Sequence, residues 1–207
     1  EGYSAEELFK KGLEKNDRLQ NNAIYDLNRA LAIAESDDNY KLQLQIQLAL
    51  STYWSQRQRF KVAHEYLETA ELLANKYGLS SDKARLDIAY GEVYRGQQNY
   101  LMAMYRLMLA STRCSPGRAT YTCLKVRDRL SAVYLAFNAT ESNKHVALSY
   151  ASHVYRTAKE KGYSDLEISG LIHMSAALRR IGQVSGNRDT LELSLTHINQ
   201  AQNLLDS

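Results

Sequence analysis

Residues 63–78 have the sequence AHEYLETAELLANKYG, and residues 147–162, 84 positions later, have the sequence ALSYASHVYRTAKEKG. Small residues and the last glycine occupy the same places in both segments, and Ser and Asp soon follow each glycine. Glycine ends a helix because it readily adopts the left-handed conformation, and Ser or Asp begins the next by accepting hydrogen bonds from free backbone N–H groups. The two segments therefore predict one repeated helical unit that ends at Gly78 and again at Gly162.

A pattern of large and small residues joins the preceding helix to the first of these segments. It consists of Leu50, Ser51, Trp54, Gln58, Phe60, Ala63, Leu67 and Ala70. The same spacing recurs in Tyr90, Gly91, Tyr94, Gln98, Tyr100, Ala103, Leu107 and Ala110. A small residue that faces an alanine lets two helix axes approach closely, and the aromatic residues fill the space between successive pairs. The pattern therefore predicts helical hairpins.

Less complete copies cover the rest of the chain. One copy has an insertion around residues 138–144 and contains Leu130, Ser131, Tyr134 and Ala147. Another has an insertion near residues 185–190 and contains Met174, Ser175, Leu178, Gly182, Ser194, Ile198 and Ala201. An opening copy contains Ala23, Leu27 and Ala30. We therefore expect one repeat domain over residues 1–207, with helical pairs at about residues 4–37, 38–80, 81–116, 117–163 and 164–207.

The order of large, small, aromatic and alanine positions resembles the tetratricopeptide repeat (TPR), and the resemblance extends over nearly the whole chain. It implies an all-α fold, a right-handed α-α superhelix of about five hairpins, in which the first helix of each pair lines a groove for a peptide or partner helix. The mean unit of about 41 residues is longer than the ~34 residues of a standard TPR. No proline closes a repeat, and HEAT-like packing is the alternative.

Composition and charge limit the classes of function. The 207 residues are 44% apolar and 24% charged, with one proline and ten glycines, which favours long helices over a β-rich fold. The net charge of +3 is too small for strong phosphate attraction, so we expect no nucleic-acid partner for this segment. Residues 83–129 contain nine Lys or Arg and three acids, which predicts an electropositive surface for an acidic partner or, alternatively, a solvated face.

The sequence contains no constellation typical of an enzyme. The five histidines have no metal-ligand spacing, and phosphate-binding, dinucleotide-binding and nucleophile-elbow motifs are absent. The paired carboxylates Asp37 and Asp38 stand at a helix boundary, where we expect them to cap a helix over residues 40–58. We therefore expect no enzymatic activity, no metal and no cofactor.

Cys114 and Cys123 flank residues 115–118, the most turn-like stretch of the chain. Antiparallel helices joined by such a turn can bring two cysteines within disulfide reach, and a disulfide implies an oxidising compartment. The alternative is a pair of reduced thiols that pack as small apolar groups. Asn138-Ala139-Thr140 matches the N-glycosylation acceptor pattern and falls in one of the insertions.

The TPR resemblance implies that groove-facing residues lie on the first helix of each pair, beside the small residue. These candidates are Gln45, Leu48, Thr52, Gln56, Arg85, Ile88, Glu92, Arg95, Lys125, Asp128, Arg129, Ala132, Ile172, Ala176 and Arg179. A basic stripe for an acidic or extended ligand is predicted at Arg85, Arg95, Lys125, Arg129 and Arg179. The alternative is that these residues only solvate the groove. Thr52, Glu92 and Ala132 stand where a carboxylate clamp would have asparagine, which argues against a chaperone-tail clamp.

Three functions remain open, and all involve a protein or peptide partner. The Tyr-rich units resemble the N-terminal repeat regions of bacterial TPR-containing sensors and transcription regulators. In that family a signal peptide precedes the repeats, and a membrane span and a cytoplasmic kinase or DNA-binding module follow. The chain begins at Glu1 rather than Met, so we expect an excised periplasmic segment. The alternatives are a stand-alone scaffold and a cytosolic peptide-responsive regulator, and self-association into a homo-oligomer is also open.

Overall fold

A computed structural model describes residues 2–79, 82–114, 120–137 and 140–206. Over these residues the chain contains ten α-helices and no β-strand. The helices are α1 (Ala5–Asp17), α2 (Ala23–Ser36), α3 (Tyr40–Gln56), α4 (Phe60–Lys76), α5 (Lys83–Gly96), α6 (Tyr100–Thr112), α7 (Tyr121–Ala136), α8 (Glu141–Lys161), α9 (Ser164–Ser185) and α10 (Arg188–Leu205). Two of them fall in each of the five predicted segments.

The helices form two compact units, Glu1–Asn99 and Tyr100–Ser207. In the first unit α1 to α5 pack in chain order, and α3 also contacts α1 and α5. In the second unit α6 to α10 pack in chain order, and α7 also contacts α9. Packing between consecutive helices, with additional contacts between alternate ones, is the arrangement of an α-α solenoid of helical hairpins. The predicted all-α fold of stacked hairpins is confirmed.

The small residues identified in the sequence lie where helices of a pair meet. Ser51 and Ala63 are both buried between α3 and α4. On α7 the hydroxyl of Ser131 donates to the carbonyl of Ala147 on α8, at 2.8 Å. The last pair uses Ser194, whose hydroxyl donates to a backbone carbonyl of α9 at 2.8 Å. The buried hydroxyls of Ser131 and Ser194 are thus satisfied locally, so a serine can stand at these positions without leaving an unpaired polar group.

Left-handed residues end several helices at repeat-equivalent positions. Gly78 and Gly162, the predicted stop signals, have φ of +65° and +72°. The turns that close α3 and α5 have the same conformation without glycine, with φ of +59° at Gln58 and +61° at Gln98. The equivalent residue after α1 is Leu19, with φ of +56°. Only glycine adopts this region without steric cost, so the three non-glycine residues carry local strain.

One local prediction was wrong. Asp37 and Asp38 do not cap α3, because they lie in the turn after α2 and the cap is Asn39, whose Oδ1 accepts from Leu42 N at 3.2 Å. The insertions of the last two pairs are absorbed largely as longer helices rather than loops. The helices α8 and α9 have 21 and 22 residues, whereas α1 has 13. The sequence pattern Asn138-Ala139-Thr140 begins outside the described residues.

Candidate binding surfaces on the first helices of the pairs

Of the fifteen predicted groove residues, seven are the principal candidates for ligand binding, and these are divided between the two units. The first unit contains Thr52, Arg85, Glu92 and Arg95, and the second contains Lys125, Arg129 and Arg179. Each set lies on helices that contact each other, α3 with α5 and α7 with α9. The two surfaces are therefore described separately.

In the first unit, α3 presents the predicted face to solvent. Thr52 and Gln56 are exposed, and Gln45 and Leu48 are half-buried. These four residues lie toward solvent because the α3 residues between them pack against α4 and the neighbouring first helices. The Thr52 hydroxyl donates to the carbonyl of Leu48 at 3.1 Å, a bond within its own helix.

The charges on α5 are balanced locally. Arg95 lies 3.1 Å from Glu92, and Arg85 lies 3.6 Å from Asp82. These arginines are both exposed, so each ion pair adds little to stability and offsets much of the positive charge. Ile88, predicted to face the groove, is buried instead. In this unit the two arginines of the predicted basic stripe, Arg85 and Arg95, are therefore each next to an acidic residue.

The first unit also has an open pocket of about 620 Å³ that the sequence analysis did not identify. It lies where the turns after α3 and α5 come together, and is lined by Ser55, Gln56, Gln58, Phe60, Gly96, Gln97 and Gln98. A side chain at Gly96 would begin 2.7 Å from the ring of Phe60. At the edge of the pocket, His64 Nε2 lies 3.2 Å from Gln97 Oε1. The recurrence of glutamine after both first helices was the sequence signal for this polar pocket.

In the second unit, α7 and α9 are joined by a buried carboxylate. Asp128 was predicted to face the groove, but its side chain is fully buried. Its Oδ1 accepts from the Ser169 hydroxyl at 2.7 Å and lies 2.9 Å from His173 Nδ1. Its Oδ2 accepts from Arg129 at 2.6 Å. The prediction for Asp128 was wrong because Ser169 and His173 of α9, together with Arg129 of α7, enclose the carboxylate.

The surroundings of Asp128 determine its charge. Burial by itself raises the pKa of this carboxyl, but hydrogen bonding and charge from His173, with Arg129 and Ser169, outweigh burial and hold the pKa below its ordinary value of 3.8. The carboxylate is therefore ionised at neutral pH. It fixes the Arg129 side chain, 29% of which remains exposed.

A second contact between the same two helices lies nearer the start of each. The Tyr121 hydroxyl donates to Asp165 Oδ2 at 2.6 Å. Burial, together with this hydrogen bond to a carboxylate, raises the pKa of Tyr121 to about 12. The ammonium of Lys125 lies 5.8 Å from the centre of the Tyr121 ring, a cation–π contact. Lys125 is thereby held on the same surface as Arg129.

On α9 the surface continues with apolar and basic residues. Ile172 and Arg179 are exposed, and Ala176 is partly exposed. Arg179 makes no ion pair with any residue that the structure describes. Its neighbour Arg180 points back to α7 and donates to the carbonyl of Leu135. We call the group Lys125, Arg129, Ile172, Ala176 and Arg179 the α7–α9 surface.

Cys114 and Cys123 are joined by a disulfide, with their Cα atoms 5.7 Å apart. The bond links Cys114, two residues after the end of α6, to the first turn of α7, whose cap is the Thr120 hydroxyl. The predicted turn at residues 115–118 lies outside the described residues. The disulfide fixes where α7, and therefore the α7–α9 surface, begins.

Among residues 2–79, 82–114, 120–137 and 140–206, no helix is both long enough and apolar enough to cross a bilayer. In the same residues no three His, Cys, Asp or Glu side chains are grouped so that they could hold a metal ion. Comparison with protein-family models, curated proteins and solved structures gives no match for this chain.

Proposed function

We propose that this chain is a protein- or peptide-binding module of the TPR type, and that its ligand lies on the α7–α9 surface. The observation that carries the proposal is the buried Asp128 carboxylate, which fixes Arg129 of α7 through a 2.6 Å contact and reaches α9 through Ser169 and His173. A buried charge is costly unless every partner is in place. Such an arrangement is typical of a binding surface whose side chains are held in position before the ligand arrives.

The chemistry of the surface favours an acidic ligand with an apolar side chain. Lys125, Arg129 and Arg179 supply three positive charges, and arginine binds carboxylates through two parallel hydrogen bonds. Between them Ile172 and Ala176 offer an apolar patch. An extended acidic segment with one central aliphatic residue would satisfy both features.

The cellular compartment of the chain is also a proposal. A disulfide is maintained in oxidising compartments and is rare in the reducing cytosol. The Cys114–Cys123 bond thus supports an extracytoplasmic segment, as in the sensory or interaction region of a larger bacterial regulator. A stand-alone scaffold and a cytosolic peptide-responsive regulator are the alternatives. Free thiols found after isolation under non-reducing conditions would favour a reducing compartment, and their absence would favour the first setting.

The test uses peptides selected from a random library against the whole chain, with affinities measured by fluorescence anisotropy. We expect the selected peptides to be acidic, and the double variant Lys125→Glu with Arg179→Glu to bind them at least about tenfold more weakly. The control is Lys159→Glu with Arg188→Glu, which makes the same charge change on the second helices α8 and α10. Equal losses of peptide affinity in both variants would show that the effect comes from net charge alone. That result would refute the assignment of the site. Failure to select any peptide would count against the function itself.

A further inference from the structure

The outer face of α6 is apolar although it is exposed. Leu101, Tyr105 and Met108 are 65%, 55% and 46% exposed, and Met102 beside them is also exposed. Positions i, i+4 and i+7 lie on one side of a helix, so these side chains form a continuous stripe. The buried residues Ala103, Leu107 and Ala110 lie on the other side.

The repeat shows that this stripe is not a requirement of the fold. The second helices share a buried pattern at the same spacing, with Ala63, Leu67, Ala70 and Ala74 in α4 and Ala147, Ala151, Val154 and Ala158 in α8. Aligned on that pattern, the stripe positions of α6 correspond to polar or charged residues in three other second helices. These are Lys61, Glu65 and Glu68 in α4, His145, Ser149 and Ser152 in α8, and Glu192, Thr196 and Asn199 in α10.

In α2 the same positions hold one aromatic residue, Tyr25, between Asn21 and Asn28. Only α6 therefore has three large apolar side chains at positions that the repeat otherwise gives to solvent. Three of the four methionines of the chain, Met102, Met104 and Met108, also lie on this helix. Methionine is flexible and polarisable, and surfaces rich in it adapt to partner helices.

Charge indicates the kind of partner. From Tyr100 to Arg118 the sequence contains three basic residues, Arg106, Arg113 and Arg118, and no Asp or Glu. Within α6 itself only Arg106 is charged, which is fewer than the 4–8 Lys or Arg typical of helices that bind anionic membranes. The segment is therefore suited to an acidic protein partner rather than a lipid surface.

We propose that the outer face of α6 is a second interaction surface, separate from the α7–α9 surface, and that it binds an amphipathic helix of a partner protein. The apolar side of that helix packs against Leu101, Tyr105 and Met108, and acidic side chains border it. The disulfide between Cys114 and Cys123 anchors the end of α6 to α7 and so limits movement of the face. Ridges of side chains on one helix pack into the grooves of another, and a straight stripe provides such a ridge.

The test uses two synthetic peptides of about 18 residues with the same leucine face, one with glutamate and one with lysine on the polar face. Binding to the whole chain is measured by calorimetry. We expect the glutamate peptide to bind at least about tenfold more tightly, with the difference shrinking as salt is added. Equal affinity for the two peptides would overturn the acidic partner.

The stripe is tested with Leu101→Asn, Tyr105→Ser and Met108→Ser combined, which introduces no charge and uses residue types found at these positions in α2 and α8. We expect at least about a tenfold loss of glutamate-peptide affinity with an unchanged melting temperature. The control, Tyr25→Ser with Leu72→Ser, removes two other highly exposed apolar side chains from second helices and should leave affinity unchanged.

Hydrogen exchange on the unaltered chain gives a readout that does not depend on a variant. The bound glutamate peptide should slow exchange in α6 and leave α8 and α10 as they were. Two outcomes would overturn the proposal in favour of another occupant. One is binding of the chain to phosphatidylglycerol vesicles but to neither peptide. The other is a dimer, seen by light scattering, that the triple variant dissociates.

Discussion

The Nδ1 atom of His173 lies 2.9 Å from a carboxylate oxygen of Asp128, so the first helices of the last two pairs, α9 and α7, are joined through a fully buried charge. Ser169 and Arg129 complete the contacts of that carboxylate. Breaking a buried pair by removing one partner costs about 3–5 kcal/mol, because the other charges remain without compensation. This relationship gives the first two predictions.

Asp128→Asn should lower the free energy of unfolding by about 3 kcal/mol at pH 7, because Arg129 and His173 lose the carboxylate that they surround. Urea unfolding followed by circular dichroism measures the change. Asp165→Asn is the control, since its partner Tyr121 is partly exposed and its loss should cost less. Equal destabilisation by the two variants would contradict the importance assigned to the buried site.

The same carboxylate should make stability depend on acidity. The pKa of Asp128 is lower in the folded chain than its ordinary value of 3.8, so the folded state binds the proton less readily than the unfolded state. The stabilisation is therefore fully present above pH 3.8 and is lost as the pH falls through the lower folded pKa. The fall in unfolding free energy between pH 5 and pH 2 should be smaller in Asp128→Asn than in the unaltered chain. Parallel curves for the two proteins would refute the assignment.

The third prediction concerns the strained turn after α5. Gln98 has φ of +61°, whereas its neighbour Gln97 has φ of −77°. Gln98→Gly should raise the free energy of unfolding by about 0.5–1 kcal/mol because glycine adopts the left-handed region without steric cost. Gln97→Gly, the matched change one residue earlier, should lower it, since it adds freedom to the unfolded chain and removes the side-chain contact with His64. Thermal unfolding of both variants checks the sign, and a gain from Gln97→Gly would contradict the explanation.

The hairpin architecture could be predicted from the sequence because its causes are local. Small residues such as Ser51 and Ser131 recur at fixed distances from the alanines that they meet, and Gly78 and Gly162 are explicit stop signals. The strained turn at Gln98 could be found only by comparing repeats, since glutamine has no preference for positive φ. The spacing of about 40 residues that links Leu19, Gln58 and Gln98 is that signal.

The candidate surfaces were less predictable because they depend on contacts between distant residues. Asp128 and Ile88 occupy equivalent positions in the repeat, at which Leu48 is half-buried and Ile172 is exposed, yet both are buried. Burial of Asp128 depends on Ser169, which is 41 residues away, and no spacing rule within one repeat specifies that partner. For the same reason the ion pairs that balance Arg85 and Arg95 could not be inferred from the total charge of the segment.

A fourth prediction concerns the close contact between α8 and α9. A methyl group at Gly170 would lie 2.9 Å from the backbone nitrogen of Tyr155, so Gly170→Ala forces two helices apart. We expect it to lower the free energy of unfolding by about 2–3 kcal/mol, despite the better helix propensity of alanine. At Gly182 the nearest obstacle is the side chain of Leu191, which can move. Gly182→Ala should therefore cost less, and the reverse order in urea unfolding would show that the α8–α9 contact is looser than the structure indicates.

The last prediction concerns the disulfide between Cys114 and Cys123, which are nine positions apart in the sequence. Cross-linking a loop of this size restricts the unfolded chain, so replacing both cysteines by serine should lower the free energy of unfolding by roughly 2–3 kcal/mol. Dithiothreitol should destabilise the unaltered chain by a similar amount and have no effect on the double variant, which serves as the control for the reductant itself. Thiol titration of the unfolded, unreduced chain should find no free cysteine. Two free thiols and a melting temperature that dithiothreitol does not change would contradict both the bond and the oxidising setting inferred from it.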